Sequence, residues 1–144
     1  MKLLVWLLAA LFLAPAAFAQ RPTTPAAGSP LRKAIMDGLR PTIQKDLGGI
    51  PVQFVVKKLS VLNGWAFLNG EVQKKGGGKI DFLRTKYAEA QRSDAFDGPS
   101  IFALVRQRGK TWKCVAFAIG PTDVAYATWG RDYGAPRGIF PYQE

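Results

Sequence analysis

The sequence contains no histidine and only one cysteine among its 144 residues. Without histidine, the chain has no Ser-His-Asp or Cys-His catalytic set and no metal site with histidine ligands. A single cysteine excludes a disulfide within the chain, and it excludes zinc and iron–sulfur sites made of several cysteines. We therefore expect no cofactor and no bound metal, and these shortages favour a binding role over catalysis.

The acidic residues also lack the spacing that catalysis or metal binding requires. Asp94 and Asp97 lie on a polar connection, where both carboxylates would be solvated. Asp123 follows Pro121-Thr122 and is typical of a helix N-cap, and Asp132 is a lone acid near a predicted helix end. A general acid or base needs a cleft that tunes its pKa, and no pair of carboxylates in the sequence predicts one.

The first 19 residues carry the pattern of a signal peptide. Lys2 supplies a positive charge, and an uninterrupted apolar run extends from Leu3 to Leu13. Pro15 then breaks any helix, and Ala17-Phe18-Ala19 places small residues at the two positions that a signal peptidase reads. We predict cleavage after Ala19, export through the Sec route and a periplasmic location. An uncleaved membrane anchor is the alternative, although a transmembrane helix needs about 20 apolar residues.

Basic residues outnumber acidic ones by 20 to 10, which gives the chain a formal net charge of +10. The predicted signal peptide contains one of these lysines and no acid, so an excess of +9 belongs to the rest of the chain. Such an excess attracts anionic partners at long range. In a periplasm these partners are lipid phosphates, wall polymers and acidic proteins, whereas nucleic acid is disfavoured by the export signal.

The basic residues concentrate in two clusters, which together form the candidate binding surface. One cluster lies in the glycine-rich loop 73–79, and the other surrounds the turn of a predicted hairpin at Arg108-Gly109-Lys110. The candidate residues are Lys74, Lys75, Lys79, Arg106, Arg108, Lys110, Lys113 and Trp112. The alternative interpretation is ordinary solubilising charge, with basic residues on strand edges that discourage pairing.

The beginning of the exported chain predicts a tether and then a helix. Residues 20–30 are rich in proline and threonine, and we expect a flexible tether there. Ser29-Pro30 predicts a helix start, because a capping hydroxyl precedes a proline at the first helical position. Pro41 lacks the amide that a continuous helix needs, so we predict a kink or two short helices before Gly48-Gly49.

Four strands in two hairpins are predicted beyond this helix. They are Val52–Leu62, Trp65–Val72, Ile101–Gln107 and Thr111–Ile119. Asn63-Gly64 is a strong turn signal for the first hairpin, and a bulge is expected near Lys57-Lys58. The residues on both faces of the fourth strand are apolar, which predicts a central strand that is covered on both faces. Segment 80–87 fits a strand or a helix, and a last short helix is predicted over 124–131.

The order helix, hairpin, connection, hairpin, helix predicts the α+β class over a single domain, 31–144. We expect an antiparallel four-stranded sheet that is packed by an N-terminal helix and a short C-terminal helix. From Leu31 to about Trp129, this pattern resembles the cystatin-like and nuclear-transport-factor-like rolls, which implies a long helix in a curved sheet. The runs 63–67, 121–125 and 133–136 resemble small exported bacterial proteins, which implies export alone.

The sequence favours a non-catalytic exported protein whose basic surface binds an anionic envelope component or an acidic protein. One alternative is an inhibitor or immunity-type module that inserts the loop 73–79 into a secreted hydrolase. A second alternative is a small-ligand carrier or an enzyme that uses the interior of the roll. Cys114 lies in the middle of a predicted strand, and we expect a buried thiol rather than a reactive one.

Overall fold

The computed structural model describes residues 20–142, so the predicted signal peptide and its cleavage site lie outside the described residues. The α-helices are α1 (Pro30–Asp46), α2 (Ala88–Arg92) and α3 (Trp129–Tyr133). The strands are β1 (Val52–Leu62), β2 (Trp65–Lys74), β3 (Ser100–Arg108) and β4 (Thr111–Ile119), and 3₁₀ turns cover Phe82–Arg84 and Arg137–Ile139. None of the helices within 20–142 is long and apolar enough to cross a membrane.

The strands form one antiparallel sheet in the order β1-β2-β3-β4, which confirms the predicted class and the predicted number of strands. Asn63 and Gly64 close the first hairpin with φ angles of 51° and 74°, in the left-handed region that this turn requires. Helix α1 packs on one face of the sheet, and the chain beyond β4 packs on the other. The sheet and its helices are thus established, whereas the type of roll stays a prediction.

A bulge in β1 decides which of its side chains face α1. The pairing with β2 shifts between Val56 and Lys58, as the sequence predicted. Because of this shift, Phe54 and Val56 before the bulge pack in the same layer as Leu59 and Val61 after it, although the two pairs differ in parity. The strand therefore contributes nearly its whole length to one core.

The prediction that the fourth strand is central is wrong, because β4 lies at the edge of the sheet beside β3. The pairing shifts between Leu104 and Val105, and Val115 of β4 has no partner on β3. The side chains toward α1 are Trp112 and Cys114 before this bulge and Phe117 and Ile119 after it. Val115, Ala116 and Ala118 pack against the chain beyond β4, so both faces of the strand are covered as predicted, although the strand lies at the edge of the sheet.

Helix α1 begins where the sequence predicted and continues through Pro41. The hydroxyl of Ser29 accepts a hydrogen bond from the backbone N–H of Arg32 at 3.3 Å, and Pro30 occupies the first turn. The prediction of two short helices is wrong, because one helix of 17 residues spans the proline. The apolar stripe continues across it, with Leu39 before Pro41 and Ile43 after it fully buried in the same core. Packing of both halves on one sheet thus outweighs the missing helical hydrogen bond.

The chain beyond β4 differs from the prediction in the position of its helix. The turns of 121–128 precede α3, so Asp123 caps no helix, and its backbone oxygen accepts a hydrogen bond from Ala125. The ring of Tyr126 instead packs edge-on against Phe67 of the sheet, with 4.9 Å between centroids. Burial of this aromatic ring outweighs the capping preference of a single aspartate. Gly134 ends α3 with a φ of 71°, and the C-terminal tail beyond it packs on the sheet, where Phe140 is buried.

The segment 20–30, for which a flexible tether was expected, is held to the edge of the sheet at Thr23. The backbone N–H of Thr23 donates to the oxygen of Val61, and the N–H of Val61 donates to the oxygen of Thr23, both at 2.8 Å. These two hydrogen bonds form an isolated β-bridge, which covers part of the outer side of β1.

Segment 80–87 is neither a strand nor an α-helix in the structure. It contains the 3₁₀ turn Phe82–Arg84, and the ring of Phe82 packs against Phe96 with 4.8 Å between centroids. The hydroxyl of Tyr87 donates to the carboxylate of Asp46 at 2.5 Å, and Lys86 forms an ion pair with the same carboxylate. Burial, together with the negative charge of Asp46, raises the pKa of Tyr87 well above its ordinary value. These contacts attach the connection between the hairpins to the end of α1.

Gly38 gives a stability prediction because it lies where α1 touches the backbone of β4. A Cβ atom on Gly38 would overlap the carbonyl oxygen of Trp112 and would lie 2.6 Å from its carbonyl carbon. Helix propensity alone predicts that Gly38→Ala stabilises the protein by about 1 kcal/mol. We expect the overlap to dominate, so that urea denaturation shows a loss of about 1–3 kcal/mol in the free energy of unfolding. Stabilisation by Gly38→Ala would contradict the close approach, and the exposed Lys45→Ala is a control that should change it by less than about 0.5 kcal/mol.

Candidate functional site

The second hairpin carries four of the predicted basic residues at one end of the sheet. Arg106 on β3 lies opposite Lys113 on β4, and Arg108 and Lys110 flank the turn. Lys113, Arg108 and Lys110 are exposed, whereas Arg106 is half-buried. The guanidinium of Arg106 lies 4.8 Å from the ring centroid of Trp65 on β2, a cation–π contact that holds it over the sheet.

Trp112 does not belong to the exposed surface, so that part of the prediction is wrong. Its side chain is 5% exposed and packs in the layer beneath α1. The parity of β4 before its bulge turns Trp112 toward the helix. Among the described residues, Trp65, Trp112 and Trp129 are all buried in the core.

A groove with a volume of about 380 Å³ lies between α1 and the start of β4. Lys110 and Lys113 line it from the hairpin, and Asp37 and Pro41 line it from the helix. Gly38 also contributes to its floor, since the missing side chain lets the helix approach β4. The same close contact that fixes α1 on the sheet therefore brings the helix beside the basic hairpin.

Asp37 is the acid that lines this groove in the described part of the chain, and it already has two basic partners. Lys33 and Arg40 each approach a carboxylate oxygen of Asp37 to 2.5 Å. Their hydrogen bonds lower the pKa of Asp37, so the carboxylate stays ionised and paired near neutral pH. The groove thus combines one neutralised acid with the two hairpin lysines that line it, Lys110 and Lys113.

Lys33 and Arg40 were missed by reasoning from the sequence. Lys33 lies four residues before Asp37 and Arg40 lies three residues after it, a spacing that places all three on one helix face. This spacing could have predicted the two ion pairs. What the spacing could not indicate is that Asp37 lines the groove beside the second hairpin, while Arg40 also donates to the backbone oxygen of Val52 at the start of β1. These positions depend on how α1 packs across the sheet.

The cluster in the glycine-rich loop lies at the opposite end of the sheet. Trp65 at the start of β2 pairs with Arg106, whereas Lys74 ends the same strand. At about 3.3 Å per residue, the two clusters are separated by roughly 30 Å along β2. The structure therefore keeps Lys74, Lys75 and Lys79 apart from the hairpin residues, and the two clusters form separate surfaces.

The loop that carries this second cluster is exposed but held in place by hydrogen bonds. Gln53 donates to the side-chain oxygen of Gln73 at 3.1 Å and accepts from the backbone N–H of Gly76 at 3.0 Å. The backbone N–H of Lys74 donates to the oxygen of Gly78 at 2.8 Å. Residues 74–79 are all exposed. The loop thus projects from the sheet with a defined base.

The ion pairs of the described residues leave both clusters uncompensated. Salt bridges involve Lys33, Arg40, Lys57, Lys86, Arg92 and Arg131. Within residues 20–142, none of the seven lysines and arginines of the candidate surface forms one. The uncompensated charges of the two clusters therefore lie at the two ends of the sheet, where they can attract an anion.

Cys114 is the one thiol of the chain, and its surroundings do not favour reaction. Burial raises the pKa of Cys114 to about 12, and the sulfur lies 3.6 Å from the backbone oxygen of Ala116. The thiolate is the reactive form, so a raised pKa leaves little of it at neutral pH. The expected buried thiol is consistent with this environment. Within residues 20–142, no group of three or more Cys, Asp or Glu side chains is arranged to hold a metal ion.

Comparison with protein-family models, with curated proteins and with solved structures finds no match for this chain. The resemblances to exported bacterial proteins and to roll folds therefore stay predictions. The arguments about function rest on the geometry of the groove, on the separation of the two clusters and on the charges that ion pairs leave free.

The pKa of Cys114 gives a reactivity prediction. At pH 8, a thiol with a pKa of about 12 is ionised in about one molecule in 10⁴, whereas an unfolded thiol with a pKa near 8.5 is about one quarter ionised. A disulfide reagent should therefore react with the native protein on the order of 10³ times more slowly than with the protein in urea. Native and unfolded rates within about tenfold of each other would contradict the buried thiol. Cys114→Ser provides the background rate.

Proposed function

We propose that this protein is exported to the periplasm, after cleavage at Ala19, and acts there as a non-catalytic binding module. Its basic surface at the second hairpin binds an anionic envelope component or an acidic protein. The observation that supports this most is the groove between α1 and β4, in which the acid already has two partners and the hairpin lysines have none. An anion that enters the groove meets an excess of positive charge without displacing an existing salt bridge.

Single exposed charges contribute little to affinity, so the proposal depends on their number and convergence. Lys110 and Lys113 both line the groove, next to the acid Asp37, whose charge Lys33 and Arg40 already neutralise. Near an anionic membrane, each basic residue contributes about 1 kcal/mol to binding, and salt screens this attraction within about 10 Å. We therefore expect retention at low salt and release at high salt.

The hairpin surface is a better candidate than the glycine-rich loop because two of its lysines line the same groove. Lys75 and Lys79 of the exposed loop line two different pockets, of about 360 Å³ and 470 Å³, so their charges do not converge. The loop cluster lies at the other end of β2 and has a similar charge. It therefore provides a matched control inside the same molecule.

Binding of the exported protein to vesicles with about 30% phosphatidylglycerol, and to poly-glutamate, tests this proposal. The double variant Lys110→Gln/Lys113→Gln should weaken binding about tenfold or more, since it removes two charges of the groove. The control Lys74→Gln/Lys75→Gln removes the same net charge and should change binding less than about threefold. The two probes distinguish a lipid from an acidic protein as the source of the anion.

Equal effects of the two double variants would show that net charge, and not the groove, governs binding. Retention that is absent, or that does not change between low and high salt, would contradict the proposal altogether. Sequencing the N-terminus of the exported protein tests the location separately. A first residue of Gln20 supports export with cleavage, whereas Met1 contradicts it.

An inhibitor or immunity-type module is a second candidate, which the glycine-rich loop supports. The loop projects from the sheet, yet its base is held because Gln53 donates to Gln73 and accepts from the backbone N–H of Gly76. A preorganised loop loses little conformational entropy when it enters an active site, which is the property that an inhibitor needs. Assays against a panel of secreted lysozymes and proteases test this role. Loss of inhibition on deletion of 75–78 would support it, and no inhibition by the native protein would remove it.

A carrier or enzyme that uses the interior of the fold has less support. Ile35, Leu39 and Ile43 of α1 fill one face of the sheet. On the other face, Ile139 and Phe140 of the C-terminal tail are buried against it. Both places where a ligand would enter a roll are therefore occupied by the protein's own side chains.

A further inference from the structure

A pocket of about 360 Å³ lies where α1 meets the start of β1 and the glycine-rich loop, and we call it the loop pocket. Its lining residues are Arg40 and Gln44 of α1, Pro51, Val52 and Gln53 at the start of β1, and Lys75 of the loop. It shares no lining residue with the groove between α1 and β4. No acidic residue lines it, and its volume is in the range of small-ligand sites.

Four oxygen atoms around the loop pocket already accept hydrogen bonds. The side-chain oxygens of Gln44 and Gln53 accept from backbone N–H groups, at 3.2 Å and 3.0 Å. The backbone oxygen of Pro51 accepts from a backbone N–H of the loop at 2.8 Å. The backbone oxygen of Val52 accepts from the guanidinium of Arg40 at 3.2 Å. These oxygens therefore hold the walls of the pocket together and are not waiting for a donor from a ligand.

The donors of the loop pocket, in contrast, have capacity left. Arg40 uses Nε for Val52 and Nη1 for Asp37, which leaves its other terminal nitrogen. Within residues 20–142, the side-chain NH₂ of Gln44 and the ammonium of Lys75 form no hydrogen bond or salt bridge. A pocket that offers donors while its acceptors are used matches an anion better than an amine or a neutral alcohol.

The structure also holds these donors in place before a ligand arrives. Arg40 is fixed between two acceptors, and Gln44 is fixed through its own oxygen. Preorganised donors lose little conformational entropy on binding. The charge is favourable as well, because Asp37 is shared between Lys33 and Arg40, so this trio keeps a net positive charge to which Lys75 adds.

We propose that the loop pocket binds the phosphate group of a free phosphate ion or of a small phosphate ester. A tetrahedral anion carries oxygens on several sides, which suits donors that come from both a helix and a loop. A carboxylate has two oxygens in one plane, and a single guanidinium fork is enough to match it. The pocket is concave and small, so its ligand is a free anion and not the flat surface of a membrane.

NMR titration of the isotope-labelled exported protein with inorganic phosphate, glycerol phosphate and acetate at low salt tests this site. We expect saturable shifts of the side-chain NH₂ of Gln44 with both phosphates, and at least about tenfold weaker binding of acetate. Tighter binding of glycerol phosphate would support an ester as the ligand, and equal binding would support free phosphate. No saturation up to about 50 mM phosphate, or shifts confined to Lys110 and Lys113, would overturn the proposal.

Two matched lysines separate the pocket from the net charge of the loop. Lys75→Gln should weaken phosphate binding about tenfold, because it removes a charge-assisted donor. Lys74→Gln removes the same charge from the neighbouring position, which does not line the pocket, and should change binding less than about twofold. Equal losses in the two variants would overturn the site.

Gln44→Glu provides a second test that preserves the packing of α1. The new carboxylate keeps an oxygen for the N–H of Val52, but it replaces the amide donor with a negative charge. Phosphate binding should be lost while urea denaturation shows a folded protein, and unchanged binding would contradict the role of Gln44. Lys110→Gln/Lys113→Gln should leave phosphate binding unchanged, so the failure of this proposal is distinguishable from the failure of the hairpin groove.

Discussion

The fold depends on the close contact of α1 with the backbone of β4 at Gly38. Without a side chain at this position, the helix reaches the carbonyl group of Trp112, and its apolar stripe fills one face of the sheet. This packing keeps the helix continuous through Pro41, because the residues before and after the proline enter the same core. The contact also determines where the helix carries Asp37 and its basic partners. Packing and the candidate site therefore share one origin.

The positions of the unpaired charges depend on the strands that carry them, and not on the net charge of the chain. Five acids of the described residues form salt bridges with neighbouring lysines and arginines, and none of these bridges includes a basic residue of the hairpin tip or of the glycine-rich loop. The basic residues of these two clusters are thus left unpaired at the two ends of β2. At one end Lys110 and Lys113 line the same groove, whereas at the other end Lys75 and Lys79 line two different pockets. This difference in arrangement, at similar charge, gives the two ends different prospects as binding sites.

Local signals predicted the elements well, and long-range packing explains where they failed. Ser29-Pro30, Asn63-Gly64 and the bulge near Lys58 act through neighbouring backbone, and all three are confirmed. The central position of the fourth strand was predicted wrongly, since a bulge at Val115 produces the same apolar pattern at an edge. Asp123 was predicted as a cap, but the burial of Tyr126 decided the path of that segment.

The sequence by itself determined the α+β class, the two hairpins, the basic excess and the lack of histidine chemistry, because composition and short-range periodicity carry this information. Only the tertiary structure decided that the two basic clusters lie apart, that Trp112 is buried and that Asp37 lines a groove beside the hairpin lysines. The order of the strands and the orientation of α1 depend on contacts between residues far apart in the chain. Such contacts leave no local pattern, since many pairings satisfy the same alternation of apolar and polar residues.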